Sequence, residues 1–561
     1  MSARPQQWPV ATKELLPKTL FRLAALHPDL TYSEYPCNPT NAADGYFKVT
    51  YKQLANAVHA VAWWIEENVG RPAKDDGSET IVYMGPNDLR YSILVLGSVM
   101  VGYKMLFPTP RYGQEPIIRL IESANGNVML VPSTPFPVVS EILARRAMRK
   151  FDFPAVNYFL SASTSPYPYT KDFETSKHEP LVCLHTSGTT GFPKPIIWTN
   201  NYVNSAAVGM RMAPPQGFER TDSNVLGPQK RILPVFPPFH ASGIITALFF
   251  TLFLGTTIVY PPSAMTPSDS VHGISDALDV LGEQGRVDSL ALPPPHVEYL
   301  ATNKPLLDKI SQQARNLLFG GGDVSLAAGK AVSQKLQMFN QMASTELGLW
   351  LQLARSKGSE KQALDDDWKY MIFDPALNIR FDEVSDGVEG KIYEAFIVKN
   401  KGEGAWVQPL FKIKTDEEEL SLGDLFTRHP HDPEKWRYYG RSDDLLVFLS
   451  TLLFHPGAAE RRIGAHLGVA EVLMVGHRRP KASLIVRLNE GTSVDDIWDV
   501  IEDVNKDVLE DARVGKHMIL GVKEPFLKTA KGTIQKKAVV DLYEKEIDAL
   551  YQKDGSYVPV R

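Results

Sequence analysis

The chain has 561 residues, of which 43% are hydrophobic, so it is long enough to bury several cores and is not a disordered protein. Its 60 Lys and Arg residues and 65 Asp and Glu residues leave a net charge of −5, which gives no indication of binding to nucleic acid or to an anionic membrane. Cys37 and Cys183 are the only cysteines, which excludes a disulfide framework and a multi-cysteine zinc site. We therefore expect a multi-domain protein in a reduced, cytoplasmic setting.

The first two thirds of the sequence alternates predicted helices with short apolar runs. Thr50 and Gln53 have the spacing of a helix capping box, and the apolar residues that follow lie on one helical face. That face comprises Leu54, Val58, Val61 and Ile65. The apolar runs, which we interpret as buried strands, are Ile81–Met84, Val128–Val131, Leu181–His185, Ile232–Phe236 and Leu317–Phe319. This alternation predicts an α/β architecture.

One segment, Gly243–Tyr260, is apolar enough to be tested as a membrane span. It is at the short end of the range for a transmembrane helix, and Gly255, Thr256 and Thr257 interrupt it. We interpret it as a buried helix to about Leu254 followed by a short core strand. The N-terminal thirty residues are broken by proline and charge and lack the apolar core of a secretory signal. No membrane segment is expected.

From about residue 380 the sequence becomes richer in strand patterns. Gly390–Val398 and Leu445–Leu449 are predicted strands, and Glu471–Val475 and Ser483–Leu488 are predicted to pair around a basic turn. Thr492 or Ser493 is then expected to cap a helix whose apolar stripe is Val494, Ile497, Ile501, Val504 and Val508. We predict a large N-terminal domain over residues 1–441 and a small C-terminal α+β domain over residues 442–561.

The most informative motif follows the predicted strand that ends near His185. It contains Thr186, Ser187, Gly188, Thr189, Thr190, Gly191 and Lys194. Glycines let backbone N–H groups approach a ligand closely, hydroxyl groups add donors, and the lysine adds a positive charge, so the segment predicts a cradle for polyphosphate. It is not the GxxxxGK[ST] loop, because no Lys-Ser/Thr pair follows the second glycine at that spacing. A hydroxyl-rich surface turn is the alternative interpretation, and His185 is expected to be structural.

This segment resembles the phosphate-loop signature of the adenylate-forming superfamily, which includes acyl-CoA synthetases, luciferases and adenylation domains of nonribosomal peptide synthetases. The other motifs of that superfamily recur in order along residues 20–545. They are Val235–Gly243, Gly320–Gly322 with Gln341–Gly348, Ser421–Phe426, Gly440–Asp444 and Lys528–Thr533. The resemblance implies a large N-terminal domain of α/β subdomains plus a β-rich subdomain, with a small mobile C-terminal domain.

Gly102–Arg111 narrows the resemblance to the adenylation domains of fungal synthetase-like carboxylate reductases, which carry a comparable GYK and SPR run. Those proteins continue into a carrier domain and a reductase domain. The sequence shows neither continuation, and no GxGxxG follows a predicted strand. We therefore expect a lone adenylation unit, either native or excised.

The resemblance implies activation of a carboxylic acid with ATP and Mg²⁺ to an acyl-adenylate. The acyl group would pass to a phosphopantetheine thiol of a carrier protein in trans, or less favourably to CoA, in secondary metabolism. Residues implied to hold the β- and γ-phosphates are Thr186, Ser187, Gly188, Thr189, Thr190, Gly191 and Lys194. By the same resemblance, Thr345 would contact the α-phosphate, and Glu346 would help to hold Mg²⁺.

Other motif residues have implied roles around the nucleotide and the acid. Ser344 would flank the adenine, and Gly320, Gly321 and Gly322 would flank the acyl slot. Asp424 would accept hydrogen bonds from the ribose hydroxyls, and Arg441 would add a second contact, to the ribose or to a phosphate. Without the motif order, Glu346 is equally a helix-capping carboxylate, Asp424 an ordinary turn residue and Arg441 a solvated charge.

His240 occupies the position where amino-acid-activating domains carry an aspartate that pairs with the substrate's α-amine. Without an anionic partner for the ammonium, an α-amino acid substrate is disfavoured, so aryl acids or other carboxylates without the amine are expected. His240 could orient the carboxylate or gate the path of the thiol. A packed loop histidine is the alternative.

Several positions depart from the family pattern. Thr533 stands where the usual lysine follows the motif's glycine, so Lys531 is the candidate catalytic lysine and Lys528 the fallback. Leu445–Pro456 is apolar where relatives often carry a polar, glycine-containing turn, which puts in doubt the second orientation of the C-terminal domain around the hinge residue Asp443. These departures keep open a second hypothesis, a catalytically degenerate nucleotide-binding or carrier-docking protein.

Overall fold

The computed structural model describes residues 8–9, 11–187, 192–264, 266–282, 285–355, 367–387, 390–450, 452–528 and 534–555. The chain divides into two compact units. The first comprises the described residues of Met1–Gly188, Phe192–Asn378 and Lys399–Glu418, and the second those of Ile379–Val398 and Glu419–Arg561.

The first unit contains two large sheets that are mainly parallel. One has seven strands in the order Gln337–Asn340, Asn316–Phe319, Ser289–Leu292, Arg231–Pro234, Thr257–Val259, Thr31–Asn38 and Asn41–Thr50, with the last pair antiparallel. The other has six strands in the order Arg149–Phe153, Gly126–Pro132, Thr80–Tyr83, Lys104–Leu106, Pro180–Ser187 and Pro193–Thr199, again with the last pair antiparallel. The predicted apolar runs are therefore buried strands of these sheets, as expected for parallel sheets covered on both faces.

Helices connect and cover these strands. They are Leu16–Leu26, Tyr51–Asn68, Arg90–Val101, Gln114–Ser123, Pro137–Arg145, Val156–Leu160, Phe173–Ser176, Asn200–Gly209, Ala241–Leu254, Pro267–Gly282, Pro294–Thr302, Lys304–Gln313, Leu326–Ser333 and Leu410–Ile413. The capping box is confirmed, because the Thr50 hydroxyl accepts from the Gln53 N–H at 3.2 Å while the Gln53 side chain accepts from the Thr50 N–H at 2.9 Å. The predicted face of that helix is buried.

Two short antiparallel assemblies complete the first unit. Phe218–Arg220, Gln352–Arg355 and Tyr370–Phe373 pair side by side, and Ala343–Ser344 pairs with Gly348–Leu349.

The apolar segment near residue 250 is a buried helix, as predicted. It runs as an α-helix over Ala241–Ile244, as a π-helical turn over Ile245–Phe249 and again as an α-helix over Phe250–Leu254, and the strand Thr257–Val259 follows. Among the described residues, no helix combines the length and the apolar character that crossing a bilayer requires.

The second unit begins with four antiparallel strands, Ile379–Gly387, Gly390–Val398, Glu419–Arg428 and Lys435–Arg441. A hairpin of Leu446–Val447 and Leu453–Phe454 follows, and then a sheet of Val469–Val475, Ser483–Leu488 and Ile519–Val522. Its helices are Gly457–Gly464, Trp498–Lys506, Lys536–Leu542 and Glu544–Asp554.

Two local predictions in this unit were wrong in detail. The predicted strand Leu445–Leu449 forms a ladder only at Leu446–Val447, because the N–H of Leu449 bonds to the carbonyl of Arg479 instead. The capped helix begins at Trp498 after a 3₁₀ turn and ends at Lys506, so Val508 lies beyond it. Ser493 does not cap this helix, since its N–H and hydroxyl both donate to the Asp496 carboxylate.

Candidate active site

The predicted phosphate-binding segment connects two antiparallel strands at the edge of the six-stranded sheet. Pro180–Ser187 leads into it and Pro193–Thr199 leads out, with Thr186 directly opposite Lys194. Lys194 is exposed, and within the part of the chain that the structure describes it makes no ion pair. Gly188, Thr189, Thr190 and Gly191 lie outside the described residues, as does the side chain of Ser187.

His185, one residue before Thr186, has a structural contact. It is buried, and its Nε2 accepts from the backbone N–H of Thr109 at 3.3 Å. Thr109 belongs to the Gly102–Arg111 segment, so the histidine ties that segment to the strand that carries the phosphate motif. This contact agrees with the structural role expected for His185.

Thr345 and Glu346 lie at the tip of a tight turn. Ala343–Ser344 and Gly348–Leu349 pair on either side of it, and the Ser344 hydroxyl accepts from the Leu347 N–H at 3.1 Å. Thr345 is buried and Glu346 is half-buried. The turn therefore presents the two residues in a defined local conformation.

Two aromatic residues, one on the second strand of the phosphate-motif hairpin and one on the helix that follows it, hold the turn. The Trp198 Nε1–H donates to the backbone carbonyl of Thr345 at 2.8 Å, and the Tyr202 hydroxyl donates to the same oxygen at 3.4 Å. Their rings stack at 4.7 Å with an interplanar angle of 18°, and both side chains are fully buried. Burial raises the pKa of Tyr202 well above its ordinary value, and the charge of Glu346 raises it further, which places that carboxylate near the tyrosine.

The Glu346 carboxylate has the chemistry of a magnesium ligand. Within the described residues it has neither a hydrogen-bond donor nor an ion-pair partner. The same described ranges contain no cluster of three acidic, histidine or cysteine side chains able to hold a metal. Mg²⁺ in nucleotide sites is commonly bound by one or two carboxylates together with substrate phosphates and water, so a single carboxylate of this kind fits the ion.

Three further motifs meet at one edge of the seven-stranded sheet. Each motif follows one of the parallel strands of this sheet. His240 comes after Arg231–Pro234, Gly320–Gly322 after Asn316–Phe319, and Gln341–Glu346 after Gln337–Asn340. Ligands of open α/β sheets bind at such carboxyl ends. A side chain at Gly320 would place its Cβ 2.5 Å from the carbonyl oxygen of Gln341, so glycine is required for this close approach.

His240 caps the helix that begins at Ala241. Its Nδ1 accepts from the Ser242 N–H at 3.3 Å and lies 2.9 Å from the Ser242 hydroxyl. Because Nδ1 is an acceptor of a backbone N–H, the neutral imidazole carries its proton on Nε2. The cap thus fixes the orientation of the ring and the tautomer of its neutral form.

A small cavity lies beside this helix start. Its lining residues include Asp88, Tyr91, Ser92, Phe236, Ile244, Thr246 and Tyr260. Asp88 is buried and makes a bidentate ion pair with the equally buried Arg90, with a shortest distance of 2.7 Å. The negative charge of this lining carboxylate is therefore already neutralised.

In the second unit, Asp424 and Arg441 are directly opposite each other on neighbouring strands. The Arg441 Nη1 donates to the Asp424 Oδ1 at 3.3 Å, and Asp424 is buried while Arg441 is exposed in part. Gly423 precedes the aspartate with φ of +74°, and a Cβ there would lie 2.9 Å from the arginine Nη2. The positive φ favours glycine at this position, and the missing side chain leaves room for the guanidinium.

The predicted hinge residue Asp443 belongs to a 3₁₀ turn over Ser442–Asp444. Its carboxylate accepts from Arg441 Nε at 3.2 Å. Although burial alone would lower the pKa of Arg441, the carboxylates of Asp424 and Asp443 raise it above the ordinary value. The guanidinium therefore connects the predicted ribose-binding carboxylate with the predicted hinge.

The structure describes one of the two candidate catalytic lysines, Lys528. Lys528 makes an ion pair with Glu471 at 2.6 Å, and that buried carboxylate also accepts from Arg487 at 2.6 Å and from the Phe526 N–H at 2.9 Å. Lys531 lies outside the described residues. Lys528 is thus engaged in holding its own segment to the sheet.

Two protein-family profiles match this chain. The profile of the AMP-binding enzyme family matches residues 21–393, and the profile of the AMP-binding enzyme C-terminal domain matches residues 443–555. The chain belongs to the AMP-binding enzyme family. It is accordingly an adenylate-forming enzyme, as the sequence motifs predicted.

Two curated relatives of this AMP-binding enzyme are fungal. The isocyanide synthase-NRPS hybrid crmA of Aspergillus fumigatus is 27% identical over 96% of the chain, and the carboxylic acid reductase of Neurospora crassa is 29% identical over 98%. The matched region is 34% of the first protein and 51% of the second, so the chain spans between a third and a half of their lengths. Similarity to a carboxylic acid reductase agrees with the narrower resemblance of the sequence.

Solved structures confirm the fold of this AMP-binding enzyme. ATP-bound MatB from Rhodopseudomonas palustris superposes with a TM-score of 0.68 at 17% identity and covers 95% of this chain and 100% of MatB. O-succinylbenzoate coenzyme A synthetase from Bacillus subtilis, in complex with ATP and magnesium, gives a TM-score of 0.65 at 16% identity. The match covers 93% of this chain and 98% of the synthetase. The expected α/β architecture with a large N-terminal domain and a smaller C-terminal domain is confirmed.

Trp198 and Tyr202 were not among the site residues predicted from the sequence. They stand more than 140 positions before the Thr345 carbonyl that both contact. An aromatic pair four residues apart across the strand-to-helix junction is the one local signal, and it carries no information about its distant acceptor.

Proposed function

We propose that this AMP-binding enzyme joins ATP to a carboxylic acid that lacks an α-amine, releases pyrophosphate, and transfers the acyl group from the adenylate to a thiol. The thiol is that of phosphopantetheine on a carrier protein acting in trans, with CoA as the other acceptor. Activation is needed because a carboxylate has no good leaving group, whereas AMP in the mixed anhydride leaves readily.

The observation that carries the proposal is the Thr345–Glu346 turn, which is hydrogen-bonded to the hairpin that bears Lys194. The Glu346 carboxylate in this turn is half-buried and has no hydrogen-bond or ion-pair partner among the described residues. Attack on the α-phosphorus spreads charge over phosphate oxygens, so catalysis depends mainly on positioned donors and cations. We assign the motif residues Thr186 to Gly191 and Lys194 to the outer phosphates, Thr345 to the α-phosphate, and Glu346 to Mg²⁺. Mg²⁺ would supply charge neutralisation at the phosphates.

The charge pattern beside His240 supports a substrate without an ammonium group. His240 has its proton on Nε2 and can donate to a carboxylate oxygen, while Asp88 in the adjoining cavity is already paired with Arg90. A substrate ammonium would find no uncompensated carboxylate in this lining and would be buried at considerable cost. Gly320–Gly322 would border the acyl slot, and Ser344 the adenine.

The second unit supplies the remaining roles. The buried Asp424 carboxylate suits the two ribose hydroxyls, with Arg441 as a further contact. Lys531 is assigned to the carboxylate and α-phosphate, and Asp443 to the hinge between residues 1–441 and 442–561. One orientation of the C-terminal domain would then form the adenylate, and the other would admit the thiol.

Pyrophosphate exchange into ATP tests the proposal. The purified enzyme is incubated with Mg·ATP, labelled pyrophosphate and a panel of aryl acids, short aliphatic acids and α-amino acids. We expect exchange with aryl or aliphatic acids and none with α-amino acids. Exchange with amino acids alone would contradict the assigned acid class, and ATP binding without exchange on any acid would favour the degenerate nucleotide-binding protein.

A further inference from the structure

We propose that Trp198 is a positioning residue that orients Glu346 for the metal and Thr345 for the α-phosphate through the backbone carbonyl of Thr345. This inference rests on the proposed function, because it assumes that the Thr345–Glu346 turn serves Mg·ATP. No motif of the sequence assigns a role to Trp198.

The anchoring of the carbonyl is complete. Its oxygen accepts the Trp198 Nε1–H at 2.8 Å and the Tyr202 hydroxyl at 3.4 Å, so both of its lone pairs have donors. Neither donor competes with water, because both side chains are fully buried. A hydrogen bond in such a dry environment is electrostatically stronger than one at the surface.

Planarity of the peptide bond carries this anchoring to Glu346. The carbonyl of Thr345 and the N and Cα atoms of Glu346 belong to one rigid peptide unit. Fixing the direction of the carbonyl therefore fixes the Cα from which the Glu346 side chain leaves. The Ser344 hydroxyl, which accepts from the Leu347 N–H at 3.1 Å, fixes the other side of the turn.

Trp198 also connects this turn to the phosphate motif. It lies on the strand Pro193–Thr199, opposite Val182, and therefore on the same strand as Lys194. Its ring stacks on Tyr202, and the ring centroid of Phe249 lies 5.6 Å away, so close packing leaves the indole little freedom to rotate. One strand thus carries both the lysine assigned to the outer phosphates and the donor that anchors the turn assigned to the metal.

The variant Trp198→Phe tests the inference by removing the indole N–H while keeping an aromatic ring in the stack. We expect kcat for pyrophosphate exchange to fall on the order of tenfold, because small misplacements of a catalytic group are costly. The Mg²⁺ concentration for half-maximal exchange should rise several-fold, while KM for the acid stays within twofold of the wild-type value. If Trp198 had only a structural role, the substitution would lower Tm but would not raise the Mg²⁺ requirement while leaving the KM for the acid unchanged.

Trp63→Phe is the control for the loss of an indole-to-carbonyl hydrogen bond, here an exposed one where that of Trp198 is buried. The Trp63 Nε1–H also donates to a backbone carbonyl, that of Ser165 at 3.0 Å, and its ring contacts Tyr167. This variant loses the same type of hydrogen bond in a helix that carries none of the proposed site residues. Its exchange kinetics and Mg²⁺ dependence should match those of the wild type.

Hydrogen exchange of the full-length chain separates failure of the inference from failure of the proposed function. In Trp198→Phe the amides of residues 343–349 should exchange faster than in the wild type and in Trp63→Phe. Unchanged protection of this segment, or unchanged Mg²⁺ dependence in an active enzyme, would overturn the positioning role. A wild-type enzyme that is inactive with every acid would refute the proposed function. In that case, faster hydrogen exchange at residues 343–349 of Trp198→Phe would still support the anchoring of the turn. Unchanged protection of these residues would refute the anchoring as well.

Discussion

The Lys528 ammonium lies 2.6 Å from the buried carboxylate of Glu471, which ties the segment after Phe526 to the strand Val469–Val475. The same carboxylate receives Arg487 and the Phe526 N–H. A lysine held in this way anchors its own segment. The contact therefore favours Lys531 over Lys528 as the lysine that reaches the reacting groups.

The two lysine variants should separate these roles. Lys531→Ala is expected to slow pyrophosphate exchange by about 10²–10³-fold, the usual effect of losing one positioned charge donor in an active site. Lys528→Ala should leave exchange within a few-fold of the wild type and lower the midpoint of urea unfolding, since the buried Glu471 carboxylate loses one of its two cationic partners. Loss of exchange in Lys528→Ala with full activity in Lys531→Ala would reverse the assignment.

Glu346→Gln tests the metal assignment. The amide keeps the shape of the side chain but loses the charge that Mg²⁺ requires, so half-maximal exchange should need at least tenfold more Mg²⁺. Binding of ATP in the presence of EDTA should be nearly unchanged, because the metal does not contribute there. Calorimetric titration with and without Mg²⁺ makes the comparison, and equal Mg²⁺ dependence in the two proteins would contradict the role.

Asp424→Asn tests the ribose assignment. The wild type should have a lower KM for ATP than for 2′-deoxy-ATP or 3′-deoxy-ATP, because each deoxy nucleotide lacks one hydroxyl that would donate to the carboxylate. An amide is a weaker acceptor from these hydroxyls than a carboxylate is. The variant should raise the KM for ATP on the order of tenfold and lose most of this discrimination. Arg441→Lys alters the ion pair at 3.3 Å but keeps the carboxylate, so it should retain the discrimination between ATP and the deoxy nucleotides even if its KM for ATP rises. Persistent discrimination in Asp424→Asn would place the ribose elsewhere.

His455 should make the stability of the second unit depend on pH. Burial, together with the charges of Lys536 and Arg461, lowers the pKa of this imidazole from 6.5 to about 4. The unfolded chain therefore binds a proton near pH 6.5 that the folded chain does not bind until about pH 4. The free energy of unfolding should fall by about 3 kcal/mol as the pH drops across this window, and the full contribution is present above it.

His455→Asn is the matching variant. Its side-chain oxygen can replace Nδ1, which accepts from the Gly457 N–H at 3.2 Å, but it does not titrate. Urea unfolding at pH 7, 6, 5 and 4.5 should show a flatter pH dependence for the variant than for the wild type. Parallel curves for the two proteins would show that another group is responsible.

Local chemistry explains which parts of the fold were predictable. The Thr50 capping box involves residues three positions apart, and the buried strands are continuous apolar runs in a parallel sheet, so both leave a signature in a few consecutive residues. The length of the strand at Leu446–Val447 was not predictable, because the N–H of Leu449 bonds to the distant carbonyl of Arg479. The end of the helix at Lys506 was likewise not predictable from the apolar stripe, because Val508 packs against the apolar core of the second unit although it lies beyond the helix.

The order of the motifs along the chain determined the family of this protein and nominated its site residues, because glycine, hydroxyl and charged side chains in that order suit phosphate chemistry whatever surrounds them. The tertiary structure alone decided which of these groups are positioned and by what. The carbonyl of Thr345 is set by Trp198 and Tyr202, and Lys528 is bound to Glu471. A hydrogen bond between residues far apart in sequence exists only once the sheets are assembled, so no local pattern could encode it.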